Sequence, residues 1–339
     1  MTGATEEDLR DEEDQDSDYF ESYSGAEVHR MMLADKVRTE AYRDALEALV
    51  EPGSVVLDVG TGTGILSLFA ARAGARRVYA VDSAEILDAA ERIAEVNGYG
   101  EVIEFIDGRA EELELPEPVD VVVSEWMGLF ALTEVMFPSV IAAAARHLRP
   151  GGHMIPGAIQ LHLTPVRAPR HYTEHGPGFW EEPLYGFDYT PLVNYEIAGF
   201  ETVTIEGADC VPLAPAALVV DIDCTRAPAE EYWFDTTLSY EIQEDGPLHG
   251  FLGHFEAELS PGVVLSTAHD SPLTHWRQSW FPVRAREVKK GDRLEVRFRA
   301  RPDETGGDAR RPIYYTEGAW LRDGEELDRF FYCHHGTYE

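Results

Sequence analysis

The sequence predicts an α/β protein in which a Rossmann-like domain is followed by an antiparallel β domain. Between residues 51 and 156, short runs of β-branched residues alternate with helical patterns of ten or more residues. This alternation predicts right-handed βαβ units and a mainly parallel sheet. After residue 156, short β-rich runs are separated by Pro, Gly and Asp, which predicts an antiparallel barrel or sandwich. The cleft between the two domains is the expected place for a ligand.

Four segments follow from these patterns. Residues 1–17 form an acidic tail that we expect to be disordered, because the first 21 residues hold ten carboxylates and one arginine. Residues 18–50 carry apolar side chains at roughly helical spacing, which predicts one or two helices. Residues 51–156 form the Rossmann-like domain, and residues 157–339 form the β domain.

Composition excludes several classes of partner. The 339 residues include 28 Lys and Arg against 63 Asp and Glu, a formal net charge of −35. Such a surface repels nucleic acids and anionic membranes, so we expect neither as a partner. Cys210, Cys224 and Cys333 are widely spaced without a CxxC motif, so no disulfide framework and no metal site is predicted. No apolar stretch approaches the ~18 residues of a membrane span, and the acidic start is unlike a secretory signal, so the expected location is the cytoplasm.

A glycine-rich turn predicts the cofactor. In residues 55–64 (VVLDVGTGTG), a strand leads through the turn into a helix, which brings backbone N–H groups close to a ligand. The spacing is GxGxG and not the GxGxxG of dinucleotide enzymes, so it favours S-adenosylmethionine, which has no phosphate. Asp82 ends the next strand, where a carboxylate can accept both ribose hydroxyls, and Glu111 after the third strand could reach the adenine. Alone, each acid is also explained as a structural residue.

Two glutamates predict the acceptor. Glu125 and Glu134 bracket a loop after the fourth strand, at the sheet edge where open α/β proteins place their chemistry. The apolar interior of the loop would exclude water, and paired carboxylates suit a planar guanidinium. They would also offset the repulsion between a sulfonium donor and a guanidinium, about 4 kcal/mol at ~4 Å and an effective dielectric of ~20. The alternative is one structural acid and one acid that starts a helix.

Together these motifs resemble the catalytic core of the protein arginine methyltransferase family over about residues 18–339. The resemblance rests on YFESY and VRT in the leading helices, VLDVGTGTG, SEWMG with its second glutamate, and Thr274-His275-Trp276 in the β domain. It implies a class I methyltransferase domain, a β-barrel domain, and an arm at about residues 187–207 that builds a head-to-tail homodimer. It also implies S-adenosylmethionine as cofactor and arginine as acceptor.

The resemblance also implies roles for individual residues. A mobile N-terminal helix would fold over the cofactor, Arg38 would pair with the cofactor's carboxylate, and Asp35 would pair with His275. The residues expected at the cofactor are Tyr19, Phe20, Tyr23, His29, Met32, Arg38, Asp58, Gly60, Gly62, Asp82, Ala110 and Glu111. The residues expected to be catalytic are Glu125, Glu134, His275 and Asp35. The residues expected to bind the acceptor are Glu125, Met127, Glu134, His275 and Trp276.

The acceptor itself has two readings. Leu129, Ala131 and Thr133 stand where the family commonly has tyrosine, leucine or cysteine, and tyrosine. This departure, with an Ala-, Arg- and Glu-rich composition typical of bacteria, slightly favours free L-arginine, giving Nω-methylarginine in a biosynthetic role. Arginine within a protein is the alternative. Met32 and Met136 match family residues that accompany asymmetric dimethylation, so a monomethyl or asymmetric dimethyl product is expected.

Three further classes of function are weighed against this one. A non-catalytic scaffold would bind the cofactor without turnover, but intact Glu125, Glu134 and His275 disfavour it. A class I methyltransferase acting on a hydroxyl or a carbon would not need two glutamates facing a cation. A dinucleotide oxidoreductase is disfavoured by the GxGxG spacing.

Overall fold

The computed structural model describes residues 26–132, 136–205, 209–226, 233–302 and 312–336. The predicted acidic tail and the site residues Tyr19, Phe20, Tyr23 and Glu134 lie outside the described residues. Two helices lead the described chain, α1 (Ala26–Ala34) and α2 (Lys36–Leu49).

Helix α2 links the leading segment to both domains. Asp35 caps its N-terminus, because the carboxylate accepts a hydrogen bond from the backbone N–H of Arg38 at 3.0 Å. Tyr42, Ala45 and Leu46 on this helix are fully buried in the main hydrophobic core. The apolar spacing that predicts a helix here therefore marks the face that packs inward.

The Rossmann-like sheet has the strand order β3-β2-β1-β4-β5, and every pair is parallel. Its elements are β1 (Val55–Val59), α3 (Ile65–Ala73), β2 (Arg77–Asp82), α4 (Leu87–Val96), β3 (Ile103–Asp107), β4 (Val119–Ser124), α5 (Phe137–His147) and β5 (Leu148–Ile155). All five residues of β1 are buried, as expected for a strand covered on both faces. The strand order reverses at β1 and β4, which is where such folds bind ligands. The predicted parallel α/β sheet is confirmed.

The second sheet has eleven strands in the order β10-β14-β15-β16-β7-β13-β11-β6-β8, with β12 on β11 and β9 on β6. Its strands are β6 (Ala158–Arg167), β7 (Gly199–Val203), β8 (Val211–Pro212), β9 (Ala217–Asp223), β10 (Asp235–Glu241), β11 (Gly246–Ser260), β12 (Val263–Ser266), β13 (Gln278–Val288), β14 (Arg293–Pro302), β15 (Pro312–Arg322) and β16 (Glu325–Gly336). All pairs are antiparallel except β16 with β7.

The second domain is barrel-like but not a closed barrel. Over the described strands, the hydrogen-bonded order does not return to its start. The hydroxyl of Thr236 on β10 donates to the carbonyl oxygen of Val219 on β9 at 2.8 Å, so the two ends of the sheet curl toward each other. The predicted antiparallel domain with a barrel-like architecture is confirmed, and its hydrogen-bonded sheet stays open over the described strands.

A short helical segment lies between β6 and β7. It contains α6 (Pro169–His175), 3₁₀ turns at Pro177–Trp180 and Thr190–Leu192, and α7 (Val193–Ile197). Tyr185, Phe187 and Tyr195 are 96%, 69% and 83% exposed in this segment. Large aromatic side chains left in solvent mark an interaction surface. Two of these three residues, Phe187 and Tyr195, belong to the predicted arm.

Three observations concern the predicted absence of a membrane span, a metal site and disulfide bonds. No helix within the described ranges is long and apolar enough to cross a membrane. Among the same residues, no group of three or more His, Cys, Asp or Glu side chains is placed to hold a metal ion. None of Cys210, Cys224 and Cys333, all of which lie within the described ranges, forms a disulfide bond. The cytoplasmic location and the lack of a nucleic-acid partner stay predictions.

A buried histidine predicts that the fold loses stability in acid. His334 is fully buried, and burial lowers its pKa to about 4. Between pH 6.5 and 4 the unfolded chain therefore binds a proton that the folded chain does not, so the free energy of unfolding falls as pH falls. The expected loss from this residue is about 1.4 kcal/mol per pH unit.

Urea unfolding of the wild type and His334→Gln at pH 7.5 and 5.0 tests this prediction. Glutamine keeps a side-chain donor and acceptor for Thr316 and Gly199 but does not titrate in this range. We expect the variant to lose less stability than the wild type on acidification. Equal losses in the two proteins would contradict the prediction.

Candidate active site

The glycine turn between β1 and α3 lets other groups approach its backbone closely, because its glycines have no Cβ atoms. Gly60 and Gly62 have φ values of +70° and +53°, in the left-handed region that favours glycine. A Cβ atom at Gly60 would lie 2.6 Å from Cε of Met136, and one at Gly62 would lie 3.2 Å from Cε1 of His29. His29 and Met136 therefore cover the turn closely, and a side chain at Gly60 would collide with this cover.

Asp58 braces the turn from below. Its Oδ2 accepts hydrogen bonds from the hydroxyls of Thr61 and Ser67, both at 2.7 Å. Its Oδ1 is buried and has no partner among the residues that the structure describes. Burial raises the pKa of Asp58 to about 6, against the opposing effect of the two hydroxyls. The structure thus places this carboxylate under the turn that it was expected to shape.

Asp82 and Glu111 stand where their strands end. The carboxylate of Asp82 accepts the backbone N–H of Gly62 at 2.8 Å and that of Ala84 at 2.9 Å, so it is tied to the glycine turn. Glu111 lies with Ala110 on the 3₁₀ turn Ala110–Glu112 that follows β3, and it accepts a hydrogen bond from the hydroxyl of Ser139 on α5. Sequence reasoning missed Ser139, because a serine within an apolar helix carries no motif.

Glu125 directly follows β4 and is held by an arginine. Nε and Nη2 of Arg38 donate to Oε2 of Glu125 at 3.0 and 2.7 Å, and both side chains are 9% exposed. Oε1 of Glu125 accepts the backbone N–H of Met127 at 3.2 Å. Nη1 of Arg38 donates to the carbonyl oxygen of Met32 at 3.2 Å. The sequence analysis did not foresee this ion pair; the expected pairing of Arg38 with the cofactor's carboxylate stays a prediction.

Asp35 and His275 pair across 240 positions of sequence. Oδ2 of Asp35 accepts the ring Nδ1–H of His275 at 2.8 Å and its backbone N–H at 2.9 Å. Burial raises the pKa of Asp35, but the hydrogen bonds from His275 and Arg38 outweigh it, so the pKa lies below its usual range. The pair joins the first turn of α2 to the β domain, and the expected contact between the two residues is present.

The loop after Glu125 is packed against both domains. Trp126 is fully buried against Phe137, with ring centroids 4.5 Å apart. Nε1 of Trp276 donates to the carbonyl oxygen of Met127 at 2.5 Å, so Met127 and Trp276 are in contact. Tyr42, which sequence reasoning did not single out, donates its hydroxyl to the carbonyl oxygen of Ser124 at 3.2 Å. In the sequence, Tyr42 is marked only as an apolar position of a predicted helix, which does not indicate a role at the site.

The structure therefore brings together four of the five residues expected to bind the acceptor, all except Glu134, which lies outside the described residues. Asp35, Arg38, Glu125, Met127, His275 and Trp276 form one network of direct contacts from α2 through the β4 loop to the β domain. The glycine turn, Asp82 and Glu111 lie at the same C-terminal edge of the sheet. A glycine turn with acids at the ends of the next strands defines a Rossmann-like S-adenosylmethionine-dependent methyltransferase.

Comparison with known proteins identifies the family. Residues 56–152 match a methyltransferase domain family, and residues 158–310 match the arginine methyltransferase oligomerization subdomain. Protein arginine N-methyltransferase 1 of Schizosaccharomyces pombe is 36% identical over 84% of this chain and 85% of its own length. Probable protein arginine N-methyltransferase 6 of Arabidopsis thaliana is 34% identical over 78% of this chain and 70% of its own length.

Solved structures agree with the sequence comparison. The Trypanosoma brucei PRMT1 enzyme-prozyme heterotetrameric complex with AdoHcy superposes with a TM-score of 0.84 at 30% identity, covering 93% of this chain and 100% of that chain. Arabidopsis thaliana protein arginine methyltransferase 10 has a TM-score of 0.81 at 28% identity, covering 93% and 99%. The chain belongs to the protein arginine methyltransferase family. It is an enzyme, and S-adenosylmethionine is its methyl donor.

Proposed function

We propose that this enzyme transfers methyl groups to the guanidinium nitrogens of arginine residues within proteins. One observation carries the proposal: a nearly buried carboxylate, Glu125, is fixed at the sheet edge beside the glycine turn. This proposal replaces the slight preference for free L-arginine that was drawn from Leu129, Ala131 and Thr133. The reason is that the similar proteins, which align with this chain over most of their length, are named protein arginine N-methyltransferases.

The residues at the glycine turn fit S-adenosylmethionine. The turn has no room for Cβ atoms under His29 and Met136, so only a backbone surface faces a ligand there. Asp58 keeps an unpaired carboxylate oxygen beneath the turn, and carboxylates suit a ligand with ammonium and hydroxyl donors. Asp82 would hold the ribose, while Ala110 and Glu111, the latter oriented by Ser139, would hold the adenine. Tyr19, Phe20 and Tyr23 stay predicted contacts.

The chemistry places specific demands on the acceptor residues. When bound, S-adenosylmethionine supplies an electrophilic methyl group on a positively charged sulfur. The guanidinium has a pKa above ~12 and is not deprotonated in advance at neutral pH, so catalysis rests on positioning and on the local field. Glu125 and Glu134 would accept N–H bonds from the guanidinium and draw its charge away from the attacking nitrogen. Oε2 of Glu125 accepts two bonds from Arg38, whereas Oε1 accepts only the backbone N–H of Met127, so Oε1 keeps a lone pair for the acceptor.

The proton released by the guanidinium has two acceptors in this arrangement. One is a glutamate carboxylate. The other is Nε2 of His275, since Nδ1 of the same ring donates to Asp35 and a neutral imidazole then carries its lone pair on Nε2. Asp35 would steady the imidazolium that forms. The side chain of Met136 lies against the glycine turn, and the carbonyl oxygen of Met32 accepts a bond from Arg38. We expect a monomethyl or asymmetric dimethyl product.

We also propose that the enzyme works as a homodimer. The exposed aromatic residues Tyr185, Phe187 and Tyr195 offer an apolar surface within the region that matches the oligomerization subdomain. Burying such side chains against a second copy would remove apolar area from water. Sedimentation would show a dimer for the wild type and a monomer for a variant with serine at these three positions.

Mass spectrometry of reaction products tests the acceptor. The purified enzyme is incubated with S-adenosylmethionine and one of three acceptors: an arginine- and glycine-rich peptide, the same peptide with lysine at each arginine, or free L-arginine. We expect one and two added methyl groups on the arginine peptide, none on the lysine peptide, and little on free arginine. Product on free arginine alone would refute the proposal, and no product with any acceptor would favour the scaffold reading.

A further inference from the structure

A strained turn lies in the middle of the loop that carries Glu125. Phe130 and Ala131 have φ values of +51° and +57°, in the left-handed region that favours glycine. The backbone N–H of Gly128 donates to the carbonyl oxygen of Ala131 at 3.1 Å, and the reverse bond is 3.0 Å. Neither strained residue is a glycine, so packing elsewhere must hold the turn in this conformation.

The side chain of Phe130 leaves the loop and enters the core of the β domain. Its ring centroid lies 5.6 Å from that of Phe281 on β13, 6.2 Å from that of Phe298 on β14, and 5.8 Å from that of Tyr314 on β15. All three contacts are edge-to-face, an arrangement that aromatic rings favour. On another side, a Cβ atom at Gly253 of β11 would lie only 2.7 Å from Cε2 of Phe130. The ring is thus enclosed by four strands of the other domain.

Phe130 stands between the two glutamates, five positions after Glu125 and four before Glu134. Glu125 is tied to helix α2 through Arg38, and Met127 is tied to the β domain through Trp276. Phe130 therefore provides a further contact between the loop and the β domain, at the point where the loop reverses direction. Moving this ring would therefore displace the part of the loop that carries Met127 and Glu125.

We propose that Phe130 is a positioning residue through which the β domain holds Glu125 in its place and orientation. The inference rests on the proposed function of Glu125 in binding the guanidinium. Without the enclosed ring, the left-handed turn relaxes toward backbone angles that residues other than glycine prefer. A shift of about 1 Å in reacting groups can cost about 10²-fold in rate, so small displacements matter. The glycine turn belongs to another loop and keeps its shape.

A pair of matched variants separates positioning from stability. Phe130→Leu removes the ring from the loop, whereas Phe234→Leu removes a ring that packs on Phe298 and Tyr314 but lies outside the loop. We expect both to lower Tm. Only Phe130→Leu should lower kcat for peptide methylation, by about tenfold or more, while KM for S-adenosylmethionine and Kd for S-adenosylhomocysteine change less than about twofold.

A second pair shifts the ring without altering the loop, and it carries the test if Phe130→Leu does not fold. Gly253→Ala presses on Phe130, whereas Gly318→Ala on β15 presses on Phe330 away from the loop. We expect a kcat loss in Gly253→Ala alone. Equal kcat losses within either pair, or no loss in the loop-directed member, would overturn the proposal. A wild type inactive on every acceptor would instead refute the proposed function.

Discussion

Replacing Glu125 with glutamine should lower kcat for methyl transfer by about 10²- to 10³-fold, the scale of losing one preorganised charge stabiliser. Glutamine keeps the shape of the side chain but removes the negative charge that would face the guanidinium. The glycine turn, Asp82 and Glu111 are untouched by the change, so binding of S-adenosylhomocysteine should persist. Steady-state kinetics with an arginine peptide and calorimetric titration of S-adenosylhomocysteine measure the two quantities.

A control for this variant lies at the other end of the same strand. Glu117 lies just before β4, whereas Glu125 lies just after it. Glu117 forms a surface ion pair with Arg76. Glu117→Gln removes one arginine-paired carboxylate in the same way, far from the acceptor, and should leave kcat close to that of the wild type. If Glu125→Gln keeps near-normal turnover, the carboxylate does not bind the guanidinium. Glu134→Gln should show the same loss as Glu125→Gln.

Replacing Arg38 with alanine should destabilise the protein by about 3–5 kcal/mol, because it leaves the nearly buried carboxylate of Glu125 without its counter-ion. Activity should fall with stability, since Glu125 loses the two bonds that fix Oε2. Chemical unfolding gives the first quantity, and kcat at a temperature where the variant is folded gives the second. Arg43→Ala on the same helix breaks an exposed pair with Asp44 and should change neither.

A double-mutant cycle separates the two roles that Arg38 has been given. If its task is to hold Glu125, the loss of stability caused by Arg38→Ala should largely disappear in the Glu125→Gln background. If Arg38 also pairs with the cofactor's carboxylate, its removal should weaken S-adenosylmethionine binding equally in both backgrounds. Additive losses of stability would contradict the ion pair seen here.

The fold was largely predictable because its signals are local. The runs VVLDV and RVYAVD alternate with helical patterns, and continuous β-branched runs of this length form strands buried on both faces. The change after residue 156 to short β-rich runs separated by Pro, Gly and Asp likewise predicted antiparallel strands. The strand order of the second sheet was not predictable, because the pairing of β10 with β14 and of β6 with β9 depends on contacts between distant segments.

The site was predictable where a motif carries the chemistry. The pattern of a strand, a glycine turn and an acid at the end of the next strand predicted Gly60, Gly62 and Asp82 as cofactor-site residues. The pairing of Asp35 with His275 came only from the family resemblance, since nothing in the spacing of residues 240 positions apart predicts a contact. Ser139 and Tyr42 were missed because each is a common residue on an otherwise apolar helix face.

By itself the sequence determined the class of enzyme, the cofactor and the order of the two domains, because backbone preferences and hydrophobic periodicity act over a few residues. Only the tertiary structure decided that Arg38 lies on Glu125 and that Phe130 enters the β domain. Both contacts join segments that lie far apart in the sequence. Their energies depend on burial and on the geometry between domains, which no local pattern of residues records.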